Sequence, residues 1–96
     1  MTELQRLVTE FAWGDIWSRP QLSPATRSLI TIALLTASNR PHELVGHLRG
    51  AVNNGCSESD IREVILHCVA YCGFPAAMDA TRIFDALIVE ERLFAQ

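Results

Sequence analysis

The chain has 96 residues, about half of them apolar, and a formal charge of −3. That length makes one domain, residues 1–96, with a limited core of its own, and an acidic balance with no basic run argues against a nucleic-acid partner. No apolar run reaches the roughly 20 residues of a membrane span, no signal peptide is read at the N-terminus, and three cysteines are an odd count without a secretory context, so a cytoplasmic protein with reduced thiols is expected.

Five helices and no strand are predicted, an all-α bundle. Residues 3–17 place Leu4, Leu7, Val8 and Phe11 at helical spacing, with Thr2 as N-cap. "SRPQLSP" breaks the chain. Ser23 then caps a second helix with Pro24 at its first position, where the missing N–H costs nothing. Its body, "ATRSLITIALLTAS", is apolar on nearly every side. "NRP" opens the third helix and Gly55 ends it, where a left-handed residue is wanted. Ser57 caps the fourth helix, with Asp60 completing a capping box and Gly73 as the stop. The fifth helix runs from Pro75 to about Leu93. So many apolar faces on so short a chain point to a homo-oligomer.

On the third helix Arg40, Glu43, His47 and Asn54 fall on one side, beside the apolar stripe Leu44, Leu48, Ala51 and Val52. A partly buried imidazole with a carboxylate one turn away suits general acid–base work. A boundary histidine satisfied by its i−4 glutamate has the same signature. The fourth helix repeats the pattern with Glu63 and His67, followed by Tyr71; His42 is expected to be exposed. Cys68 and Cys72 lie on the core face, four apart, where they read as buried, unreactive thiols, whereas Cys56 in the Gly55–Ser57 loop is expected to be exposed and modifiable. Three histidines and three cysteines lack metal-site spacing. Trp13 and Trp17, also four apart, read as core or interface. All eight cations are arginine, through codon bias or because some of them grip carboxylates as planar forks.

The segments "WGDIWSRP", "TRSLITIA", "HLRGAVNNG" and "YCGFPAA", between about Phe11 and Arg82, together resemble the carboxymuconolactone decarboxylase family. The resemblance implies a helical bundle of the alkylhydroperoxidase D-like type, assembled into trimers or hexamers. The peroxidase branch of that superfamily carries CxxCxxxH. With His47 as the histidine, Arg40 and Glu43 stand where both cysteines belong, which favours the decarboxylase branch. Members usually carry a longer segment ahead of "WGDIW", and some pocket wall or intersubunit contact is expected to be missing here.

The implied reaction is cofactor-independent loss of CO₂ from γ-carboxymuconolactone, a small anionic lactone, giving β-ketoadipate enol-lactone in protocatechuate catabolism. The resemblance implies that His47 delivers the proton, with Glu43 orienting it. Arg40, Arg27 and Arg49 are candidates for gripping the substrate carboxylates, and His67 and Tyr71 for the oxyanion or the acid role. Competing readings are a thiol peroxidase or disulfide reductase using Cys68 and Cys72, a related lactone or cyclic-ketone enzyme, and a non-catalytic oligomeric binder.

Overall fold

A computed structural model describes residues 2–95, all helices and connections. The helices are α1 (Glu3–Leu7), which continues as a π-helix over Val8–Ile16, then α2 (Pro24–Ala37), α3 (Pro41–Asn53), α4 (Glu58–Cys72) and α5 (Phe74–Glu91). The apolar α2 packs against α3, α4 and α5, and α5 closes the bundle on α3 and α4. Ile32, Leu48, Ala51, Ile61 and Phe84 are fully buried between these four helices. Phe84 meets Phe94 edge-on, with ring centroids 6.1 Å apart, and the Arg62 guanidinium lies 5.1 Å above its ring. None of the described helices is long and apolar enough to cross a membrane.

Local chemistry sets the helix ends. The Ser23 Oγ accepts from the Thr26 N–H at 3.1 Å. Ser57 and Asp60 form the reciprocal capping box, at 3.0 and 3.3 Å. α3 ends in a Schellman turn: Gly55 has φ 94°, its N–H donates to the Val52 carbonyl, and the Cys56 N–H donates to the Ala51 carbonyl. α2 ends the same way, with Asn39 at φ 55° and the Asn39 and Arg40 N–H groups donating to the Thr36 and Leu35 carbonyls. Arg92, left-handed at φ 52°, stops α5 after Glu91, two residues short of the expected Leu93.

The first helix corrects the sequence reading in pitch and in placement. After Leu7 it widens to i→i+5 bonding, which ends with the Trp17 N–H on the Ala12 carbonyl at 2.9 Å. None of its residues from Glu3 to Ile16 is buried. It stands as an arm beside the bundle, its stripe of Leu4, Leu7, Val8 and Phe11 uncovered. Along its polar side Arg6 pairs with both Glu3 and Glu10.

Candidate active site

The arm meets α3 over a cleft of about 560 Å³. One face of α3 supplies Glu43, Gly46, His47, Gly50, Asn53 and Asn54, residues that share a helical side at steps of three and four. The arm brings Trp13 and Trp17, α2 brings Ser28, and His42 joins from the first turn of α3. The buried Ser28 hydroxyl accepts from Asn54 Nδ2 at 2.9 Å. Gly46 and Gly50 face open space: a Cβ built on either meets nothing within 4 Å beyond its own stretch of helix.

His47 is half-buried. The Trp13 ring stacks on its imidazole at 5.9 Å and 15°, and Trp17 lies 6.4 Å away at 28°. The two indoles are 5.1 Å apart. Burial pushes the His47 pKa below its ordinary value, and the Glu43 carboxylate offsets part of that fall. The free protein therefore holds a largely neutral imidazole near pH 7. On binding an anion, that imidazole gains a reason to take up a proton.

The structure brings together some of the sequence candidates and separates others. Glu43, His47 and Asn54 share the cleft. Arg40 does not line it, because Pro41 and the turn ending α2 hold Arg40 outside the helix at φ −118° and ψ 72°. Arg49 forks onto Glu91 of α5, Nε at 2.8 Å and Nη2 at 2.5 Å, and that pair occupies its guanidinium. Arg27 immediately precedes Ser28. Its Nη2 donates to the Arg19 carbonyl at 3.2 Å, and its Nε is buried without a partner. His67 and Tyr71 pack on each other at 5.2 Å, outside this cleft. His67 lines a shallow apolar groove with Leu29, Ile30 and Ala33, and Tyr71 is 81% exposed. No arginine is among the described residues that line the cleft.

The thiols are placed for packing. Cys68 is buried, and burial together with the neighbouring Cys72 raises its pKa. The Cys72 thiol donates to the Cys68 carbonyl. Cys56 corrects the expectation of an exposed loop thiol: it is 4% exposed, its Sγ donates to the Ala25 carbonyl at 3.3 Å, and burial raises its pKa. As the residue after the Schellman glycine, it packs back on the last turn of its helix. No group of three or more His, Cys, Asp or Glu side chains converges on a metal-binding geometry among the described residues.

Sequence reasoning did not find the two tryptophans as cleft residues, nor Ser28 and Asn53. The "WGDIW" spacing was the available signal, but its contact with His47 spans about thirty positions of chain.

The chain matches the sequence profile of the Carboxymuconolactone decarboxylase family over residues 2–86. It is 49% identical over 83 residues to a 4-carboxymuconolactone decarboxylase of Acinetobacter baylyi, covering 86% of this chain and 62% of that protein. It is 47% identical over 76 residues to a nitrosuccinic acid decarboxylase of Metarhizium robertsii, covering 79% and 53%. Similarity extends to peroxisomal protein 2 of Schizosaccharomyces pombe, 31% identical over 75 residues, 74% of this chain and 35% of that one. The chain thus spans between about half and six-tenths of the length of the two decarboxylases.

Proposed function

The chain belongs to the carboxymuconolactone decarboxylase family, and from that membership we propose that it is a carboxy-lyase converting γ-carboxymuconolactone to β-ketoadipate enol-lactone in aromatic catabolism. The observation that carries the reading is the half-buried His47 in its cleft, with Glu43 one turn away and open space over Gly46 and Gly50.

The chemistry needs no added electron sink. As the C–CO₂⁻ bond breaks, its electrons pass through the ring C=C into the lactone carbonyl and CO₂ leaves. The resulting dienolate takes one proton at the carbon α to that carbonyl. His47 delivers this proton, and Glu43, on the same helical face, favours the imidazolium. Ser28 and Asn54 offer neutral hydrogen bonds to a carboxylate or to the oxyanion. Arg27, the residue before Ser28 in α2 and with a buried Nε that has no partner, is the arginine we assign to gripping a substrate carboxylate. Arg40 and Arg49 are weaker candidates, for the reasons of geometry given above. His67 and Tyr71 serve this cleft only where a second copy of the chain brings them to it.

Self-association belongs to the same proposal. The apolar ridge of the arm and the exposed Leu66, Phe74 and Met78 of α4 and α5 are surfaces that a homo-oligomer, a trimer or a hexamer, would cover.

The 47% identity to a nitrosuccinic acid decarboxylase favours a second substrate of the same design. In nitrosuccinate the nitro group takes the electrons that the unsaturated lactone takes here. The test is to give freshly prepared γ-carboxymuconolactone to the purified protein and follow the product by NMR, with nitrosuccinate and the His47→Gln variant in parallel. Release of the enol-lactone by the wild type and not by the variant supports the assignment. Turnover of nitrosuccinate alone moves the substrate, and turnover of neither sinks the decarboxylase reading.

A further inference from the structure

We propose that Trp13 and Trp17 are the specificity-determining wall of the cleft: they position His47 by stacking and select a flat, conjugated ring over a saturated one. This inference rests on the decarboxylase reading for its substrate class, but not for its geometry.

Three observations carry it. Trp13 lies nearly parallel to the imidazole, 15° at 5.9 Å, with Trp17 beside it at 28° and 6.4 Å from the same ring. Both indoles belong to an arm with no buried residue, and Trp13 itself is 48% exposed, so burial in the core does not account for its position. Opposite, Gly46 and Gly50 leave α3 without side chains where the cleft is open. Interior glycines weaken a helix against alanine, and the space that these two leave is the space a ring would fill.

The reaction gives the wall its purpose. In the substrate the carbon that bears the departing carboxylate is tetrahedral. As CO₂ leaves, that carbon becomes trigonal and the ring flattens on the face it has vacated. A flat wall of indoles therefore contacts the transition state better than the ground state, which is the condition for raising a rate. Removing water from the imidazole is its second effect.

The titratable groups lining the cleft with His47 are Glu43 and His42, both on α3; the arm contributes only indoles there and α2 only Ser28. The chain's two tryptophans are both at the cleft, so intrinsic fluorescence reports on it directly, and a protonated imidazole quenches a stacked indole.

The experiment titrates fluorescence against pH in wild type, Trp13→Phe, Trp13→Ala, Trp17→Phe and His47→Gln. It then measures binding of two unreactive probes, the planar furan-2,5-dicarboxylate and its saturated tetrahydrofuran counterpart. Trp13→Ala and wild type are compared for the probes and, by NMR titration of the imidazole, for the His47 midpoint. The expected results are a quenching transition absent in His47→Gln, a midpoint that rises in Trp13→Ala and is kept in Trp13→Phe, and preference for the planar probe. That preference should fall by about 2- to 10-fold in Trp13→Ala, the scale of an aromatic stack. Equal binding of the two probes, failure of the planar probe to bind, or a midpoint indifferent to Trp13→Ala overturns the inference. Turnover of neither the lactone nor nitrosuccinate while these results hold sinks the decarboxylase reading instead.

Discussion

His47 owes its chemistry to two opposed neighbours, burial under indole and the Glu43 carboxylate. A glutamine in its place keeps the size and loses the proton. His47→Gln should fold as the wild type does by circular dichroism and lose at least about 10²-fold in kcat, the scale of general acid–base catalysis; full activity would remove His47 from the mechanism. Its pH dependence follows from the sign of the shift. In the proposed reaction the acid form delivers the proton, and burial holds the free protein's His47 below the ordinary 6.5. Hence kcat/KM is greatest in acid and falls as pH rises through that lowered pKa. In the complex the substrate carboxylates favour the imidazolium, so kcat holds to higher pH before it falls. Rate profiles from pH 5 to 8 check this, and a flat kcat/KM contradicts it. Among the arginines the contrast is Arg27 against Arg49. Arg27→Gln should raise KM about 10-fold or more, as loss of a charge-assisted hydrogen bond does. Arg49→Ala should leave KM unchanged, since its guanidinium already serves Glu91.

At the scale of elements, what the sequence discloses is what is local. Ser23 with Pro24, Ser57 with Asp60, and Gly55 and Gly73 each act within a few residues, and each boundary they imply is present. The Leu44, Leu48, Ala51 stripe is legible for the same reason, and it fixes the adjoining side of α3 as the face of Glu43, His47 and Asn54. Arg40 falls off that face because it precedes the first helical residue, Pro41, where helical spacing no longer applies. Contacts between distant parts of the chain were not legible. The Arg49–Glu91 fork spans 42 positions, and the indoles reach His47 from a different helix. The widened pitch of the arm also escaped, since its apolar spacing fits an ordinary helix equally well. Cys56 is an intermediate case: the glycine before it signals a Schellman turn, and a Schellman turn predicts that the next residue packs inward. Gly55→Ala tests the turn. At φ 94° an alanine is strained, and the variant should lose about 1 kcal/mol or more in denaturant unfolding.

The whole molecule sets a closed bundle against an open arm. Leu4 is 72% and Phe11 58% exposed, and an uncovered apolar ridge of that kind marks a contact surface. If a second copy covers the ridge, Leu7→Glu with Phe11→Glu should lower the mass seen by analytical ultracentrifugation to that of a monomer while helicity is kept. An unchanged mass would place the contact elsewhere, for instance over Leu66, Phe74 and Met78. The wide pitch of the arm between Val8 and Ile16 has a consequence for how such a protein diverges. Each i→i+5 loop holds one residue more than an α-turn. Losing a single codon there is absorbed by a return to α pitch, and the residues ahead of it keep roughly the facing they had. The arm thus tolerates a change of length that would turn the ridge of an ordinary α-helix by roughly 100°. Relatives that have parted in substrate preference are expected to differ in the length of this arm as well as in the residues that face the ring.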